Sequence, residues 1–135
     1  MSKKNIIVNA SGKRKSAVAR ATIKEGKHFV KVNNVSLDVL EPDMARLRIK
    51  EPLLLADDSV KKLSISVNVT GGGVTSRADA ARLAIAKALA EYDESLRQVF
   101  LDYDRQLLVA DVRRKETRKP NSQGKARAKR QKSYR

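Results

Sequence analysis

Polar and apolar residues alternate most regularly between Leu63 and Thr70, where Leu63, Ile65, Val67 and Val69 interleave with Ser64, Ser66, Asn68 and Thr70. A period of two puts every second side chain on the same face, so this run predicts a half-buried strand. The same period runs from Asn5 to Lys24. Ile6 and Val8 share a face, and Ala17, Ala19, Ala21 and Ile23 alternate with Val18, Arg20, Thr22 and Lys24. Between these arms, Ser11, Gly12, Lys13, Arg14 and Lys15 read as a turn carrying cations, which gives a hairpin-like pair with a basic loop. Glu25-Gly26-Lys27 predicts a second turn, His28 to Val32 a short strand, and Asn33-Asn34 its end.

Elsewhere the period is helical. Pro42 at a first helical position, followed by Asp43, predicts a helix start, with Met44, Leu47 and Ile49 on its apolar side. Pro52 is expected to interrupt that helix, because proline lacks the N–H and clashes with the preceding turn. Leu53 to Ala56 then form an apolar patch or one more helical turn. After Gly71-Gly72-Gly73, Ser76 and Asp79 have the spacing of a capping box that opens a helix to about Tyr92. Ala81, Ile85, Ala88, Leu89 and Tyr92 recur every three or four residues along it. A further helix, Ser95 to about Tyr103, has Leu96, Val99, Phe100 and Tyr103 to bury. Leu107 to Val112 is apolar and fits a strand or a helix end equally. The fold class is α+β: a small sheet with helices packed on one face. Parallel or antiparallel order does not follow from the pattern.

Composition changes this picture at one end. The last 23 residues, Arg113 to Arg135, hold eleven Lys or Arg against one acid, Glu116, and no Val, Ile, Leu, Met or Phe. Ten of the fifteen net positive charges therefore sit in this segment. A stretch without apolar surface to bury cannot offset its ordering entropy alone. The chain reads as a globular body, residues 1–112, and an extended basic arm, residues 113–135. Pro120 and Gly124 disfavour helix in the arm, and fully extended it reaches up to ~75 Å. Such asymmetry calls for a polyanion, nucleic acid or an anionic membrane surface. Arg forks phosphate, Asn121 and Gln123 can meet base edges or ribose, and Tyr134 can stack on a base.

The body of the chain excludes more than it offers. Five aromatics and no Trp leave an aliphatic core, and the absence of cysteine removes disulfides, thiolate catalysis and zinc-thiolate sites. The apolar run Ile6 to Val8 is far too short for a signal peptide, and nowhere do ~18 apolar residues run together, so a cytosolic protein is expected. Gly12-Lys13 resembles a phosphate-binding loop only superficially: Ile7 stands where the first Gly belongs and Arg14 where Ser or Thr should follow the Lys. The triple glycine before a helix could admit an anion to backbone N–H groups or serve only as a flexible connection. His28, the sole histidine, has no catalytic partner at a recognisable spacing and reads as a structural or surface residue. Asp57-Asp58 and Asp93-Glu94 read as solvated charges in loops. No enzyme, cofactor, metal, small-molecule substrate or membrane-spanning segment is expected.

Four blocks, taken in order, carry a resemblance. Gly12 to Arg20 (GKRKSAVAR), the triple glycine with an Ala-rich helix ending Ala86-Lys87-Ala88-Leu89, Asp111-Val112-Arg113, and Lys125 to Arg135 (KARAKRQKSYR) closely resemble the S-nine proteins of the small ribosomal subunit. The terminal Lys-Ser-Tyr-Arg is similar to the archaeal and eukaryotic branch. The resemblance implies a left-handed βαβ crossover in a body seated on ribosomal RNA in the subunit head, among neighbouring head proteins. It also implies an arm that threads RNA to the anticodon stem-loop of peptidyl-site tRNA. Carried over, Lys13, Arg14, Lys15, Arg20, Arg77, Arg113, Arg114, Arg118, Lys119, Lys125 and Arg127 would meet ribosomal RNA. Lys129, Arg130, Lys132, Ser133, Tyr134 and Arg135 would meet tRNA. Arg77 stands where many members carry Gln, and an arginine there still suits a phosphate.

Overall fold

A computed structural model describes residues 6–121 and 126–127. The alternating run Leu63–Thr70 is a strand, and its even partners in space are the residues of the amino-terminal hairpin. In chain order the strands are β1 (Ile7–Arg14), β2 (Ala17–Glu25), β3 (Phe29–Val32), β4 (Val35–Ser36) and β5 (Leu63–Thr70). They form one sheet in the order β1-β2-β5-β3-β4. β1, β2 and β5 pair antiparallel, whereas β3 lies parallel to β5. A parallel pair needs a crossover. Here it runs through β4, helix α1 (Asp43–Ala56) and 3₁₀ turns at Leu37–Val39 and Asp57–Lys62. Two more helices follow, α2 (Val74–Tyr92) and α3 (Ser95–Tyr103), then a 3₁₀ turn at Arg105–Leu107.

One face of the sheet is closed and the other open, as expected for helices on one side. Ala17, Ala19, Ala21 and Ile23 of β2 and Leu63, Ile65, Val67 and Val69 of β5 are buried against α2. α2 is apolar nearly all round, with Ala78, Ala80, Ala81, Ala84, Ile85, Ala88 and Leu89 buried, because the sheet covers one side and α1 and α3 pack on it from others. Gly12 explains how a helix comes so close. A Cβ there would stand 2.4 Å from the Ala80 carbonyl oxygen and 2.7 Å from the Ala84 nitrogen. β1 and α2 therefore touch backbone to backbone.

Several sequence expectations are corrected. Gly12, Lys13 and Arg14 are not a turn: β1 continues to Arg14, which pairs with Ala17, so the connection is only Lys15-Ser16, with Lys15 at φ 53°. Ile6 precedes the strand and is exposed. Pro42 is the residue before α1 rather than its first turn, and Pro52 does not break that helix. Met44 and Leu47 face out at 72% and 55% exposure, while Ala45, Ile49, Pro52 and Ala56 form the buried side. α2 begins at Val74 with Gly73 as its cap, so Ser76 is inside the helix and no side chain caps it. In α3 only Leu96 and Phe100 are buried, and Val99 and Tyr103 are exposed. Leu107 to Val112 is neither strand nor helix. A 3₁₀ turn ends at the fully buried Leu107 and irregular chain follows.

His28 is structural: its Nδ1 lies 3.0 Å from the Val60 carbonyl oxygen and ties the start of β3 to the turn before β5. Asn33 does similar work at the other end, its side-chain amide exchanging two hydrogen bonds with the backbone of Val69. Replacement of Gly12 by Ala should destabilise the chain by about 2–3 kcal/mol, since the helix must lift from the strand. Gly73→Ser, in open space at φ −90°, adds a capping hydroxyl and should stabilise by ~0.5 kcal/mol. Urea unfolding of both variants checks the contrast, and equal midpoints would remove the close-packing account of Gly12.

Candidate nucleic-acid interface

The tip of the β1–β2 hairpin, the glycine loop and the root of the arm converge at one end of the body. Gly71 and Gly72 have φ 75° and 69°, and a Cβ on either would run into the hairpin turn, 2.6 Å from the Ser16 carbonyl oxygen or 2.8 Å from the Ala17 Cβ. These glycines are therefore required by the packing of one turn on another. Arg77, on the first turn of α2, donates from Nε to the Gly71 carbonyl oxygen at 3.0 Å, which holds its guanidinium beside that loop. The bond supplies a partner for a cation at the unfavourable, positive end of the helix dipole.

Strand geometry sorts the hairpin cations. Successive side chains point to opposite faces. Lys13 and Arg20 face the open side of the sheet, Lys15 sits in the turn, and all three are exposed. Among the described residues none of the three has an ion pair or a side-chain hydrogen bond. Arg14 points the other way. Its Nη1 lies 2.6 Å from Asp111 Oδ2 and its Nε 3.8 Å from Asp79, with the side chain only 18% exposed. No N–H of Nη1 is aligned with an acceptor, so the Asp111 contact is an ion pair rather than a directed hydrogen bond. Lys13 and Arg20 thus share the open face, Lys15 sits in the turn and Arg77 beside the glycine loop, while the Arg14 guanidinium is paired with Asp111.

Asp111 joins body to arm. It accepts from the Arg113 backbone N–H at 2.9 Å and from Arg113 Nη2 at 2.8 Å, while facing Arg14 across from β1. Hydrogen bonds from the Arg113 side chain and backbone hold the Asp111 carboxyl well below the usual carboxylate range, and the Arg14 charge adds to this. Behind the anchor lies a cleft of about 690 Å³ where Lys13, Arg14, Arg48, Arg82, Arg105 and Arg113 outnumber Asp79, Asp104 and Asp111. Arg48 Nη1 bonds Asp79 at 2.6 Å. Arg82, 8% exposed, donates to Glu51 at 2.7 Å and to Asp104 at 3.1 Å, linking α1, α2 and the turn after α3. Sequence reading missed Arg82 and Asp111 as a pair of anchors. The signal was present in Arg82 as a charge inside the run Ala80 to Ala86, where every other residue is apolar.

Along the arm, Arg114 and Arg118 are exposed, and Lys119 and Arg127 both bond Glu116, at 2.7 and 2.6 Å. Those two cations hold the Glu116 carboxyl below its ordinary range. Lys125, Lys129, Arg130, Lys132, Ser133, Tyr134 and Arg135 lie outside the described residues. Among the described residues no group of three His, Cys, Asp or Glu could hold a metal ion, and no helix is long and apolar enough to cross a membrane.

Comparison with known proteins gives the chain's family. The family model "Ribosomal protein S9/S16" matches residues 12–135, from the hairpin glycine through the whole arm. The chain belongs to the ribosomal protein S9/S16 family. It is 47% identical over 131 residues to the small ribosomal subunit protein uS9 of Methanothrix thermoacetophila, covering 96% of this chain and 98% of the relative. It is 43% identical over 132 residues, with the same coverage, to the protein of that name from Methanococcus maripaludis. Both organisms are archaeal, in line with the branch read from the terminal residues. A ribosomal protein is not an enzyme and works in the cytoplasmic ribosome, so the glycine loop and the cationic hairpin need no catalytic role.

Because the folded pKa of Asp111 is depressed, its contribution to anchoring is present above the ordinary carboxylate pKa and is lost only as pH falls through the lowered value. The Asp111–Arg113 contact should therefore persist at about pH 4, where an unperturbed aspartate is half protonated. Carboxylate chemical shifts followed by NMR across pH 6 to 2 measure this, and an ordinary midpoint would refute the anchor.

Proposed function

We propose that the chain is a structural constituent of the small ribosomal subunit head, with the body to Val112 docked on ribosomal RNA. The arm, Arg113 to Arg135, extends to the anticodon stem-loop of peptidyl-site tRNA. The observation that carries this reading is that the family match runs through the arm to Arg135, so a segment unable to fold alone belongs to the family's pattern. The exposed hairpin cations Lys13, Lys15 and Arg20, with Arg77 beside the glycine loop, meet RNA from the body. Arg113, Arg114, Arg118, Lys119, Lys125 and Arg127 follow ribosomal RNA along the arm, and Lys129, Arg130, Lys132, Ser133, Tyr134 and Arg135 reach tRNA.

The energetics favour this division. Phosphate contacts release condensed counterions, each neutralised phosphate adding ~0.7 to 0.9 to the salt slope. Charge-assisted bonds from Arg and Lys then offset the entropy lost when the arm takes one path. Arg14 contributes indirectly, since its ion pair with Asp111 fixes where the arm leaves the body. Neighbouring head proteins flank the body.

Removal of Lys132 to Arg135 should leave fold and subunit incorporation intact and weaken peptidyl-site tRNA binding several-fold, the scale of one or two lost phosphate contacts. Filter binding of tRNA to truncated and intact subunits reads this, and equal affinities would contradict the arm assignment. The triple replacement Lys13, Lys15 and Arg20 to Ala should instead reduce incorporation, read as the fraction of the chain sedimenting with small subunits. Unchanged sedimentation would remove the body-docking role of the hairpin.

A further inference from the structure

The face of the sheet away from the helices is uncovered among the described residues, and its composition is unlike that of the rest of the body. Strand pairing aligns four rows across it. Lys13, Val18 and Thr70 form the row at the hairpin tip; Ser11, Arg20 and Asn68 the next. The third holds Asn9, Thr22, Ser66 and Lys31, and the fourth Ile7, Lys24, Ser64 and Phe29. The hydrogen bond from Thr22 Oγ1 to Asn9 Oδ1, 2.9 Å, confirms that row partners share the face. None of the fifteen carboxylates of the chain occupies an outward strand position: Glu25, the sole acid within a strand, accepts from Tyr92 on the helix side. Four cations therefore stand in a field of hydroxyls and amides without a counter-charge.

Within this face lies a depression of about 250 Å³, lined by Thr22, Lys24, Phe29, Ser64 and Ser66. Phe29 is 40% exposed, an aromatic ring on the solvent side of a strand. Lys31 holds its ammonium 5.1 Å from the ring centroid. A π-face, hydroxyl donors and acceptors, and nearby ammonium groups are the three things an unpaired nucleotide uses: stacking, base-edge or ribose bonds, and phosphate neutralisation. A duplex would leave the ring unused, since its bases are inside and it meets proteins through phosphates and the 2′-hydroxyls of the minor groove. An apolar protein partner would bury four ammonium or guanidinium groups without carboxylates to meet them.

We propose that this open face is a platform for an unpaired stretch of RNA, with one base seated against Phe29 and the backbone running diagonally past Lys24 or Lys31 toward Arg20 and Lys13. The inference rests on the ribosomal reading above and adds to it a surface and the class of RNA that covers it. One row and one strand separate Lys13 from Arg20, roughly 8 Å, which lets a single strand touch successive cations as it crosses the sheet.

The test uses small subunits reconstituted with the full chain, wild-type or carrying Phe29→Ala or Phe29→Leu, and probed with a reagent that acylates flexible 2′-hydroxyls. Both variants should raise reactivity threefold or more at one short unpaired segment and leave stems unchanged. Phe29→Leu keeps apolar bulk without the ring, so a matching response from it separates stacking from folding. Phe29→Tyr should restore the wild-type profile. Profiles that superimpose for all variants, or changes confined to paired stems, overturn the proposal. Sedimentation of the wild-type chain with the subunits is read in the same preparation. If that fails, the ribosomal reading falls; if it holds and the profiles superimpose, only the sheet-face platform falls.

Discussion

The closeness of α2 to the hairpin governs the rest of the body. A backbone-to-backbone approach is possible only where both sides lack bulk at the point of contact, and the chain supplies Gly12 on the strand with Ala80 and Ala84 on the helix. Small residues bury little area each, so the arrangement gains from dispersion across many close atoms rather than from a few large side chains. The large ones, Ile23, Leu63, Ile65, Ile85, Leu89 and Phe100, fill the remaining space between sheet and helices. With α2 seated there, α1 and α3 can only add on the same side, and the opposite face of the sheet stays bare.

That one-sidedness separates charge by sign. Carboxylates gather among the helices and at the arm's root, where Glu51, Asp79, Asp104 and Asp111 hold Arg82, Arg48, Arg14 and Arg113 in fixed places. Among the described residues, the cations of the outer face and the hairpin turn, Lys13, Lys15, Arg20, Lys24 and Lys31, have no carboxylate partner. Buried or half-buried pairs of this kind add modestly to stability, and their clearer effect is to specify position. A polyanion approaching the body therefore meets a surface already cleared of competing carboxylates.

How far the sequence told this depended on whether a local signal was also the deciding one. β5 and α2 are legible because periodicity and burial coincide there, whereas in α3 the period marks the helix but only Leu96 and Phe100 of its expected apolar set are buried. Gly12 to Arg14 was misread as a turn because glycine and cations usually mark loops; the reason for the glycine is a helix sixty-eight residues later, at Ala80. Pro52 was expected to end α1, and the helix continues past it to Ala56 with Pro52 on the buried side. β4 is two residues long and gives no periodic signal. Among the residues proposed to meet RNA, Lys13, Lys15 and Arg20 can be picked out by charge alone, but parity along β1 turns Arg14 inward, and only the strand boundary reveals that.

The ion pair between Arg14 and Asp111 has a mechanical side as well. A tether pulled at its far end transmits tension to the first point where it is fixed. Here that point is bonded to the end of β1, an edge strand paired with β2 along its whole length. Tension on the residues beyond Arg113 would therefore pass to that strand before it reached the turn that carries Leu107.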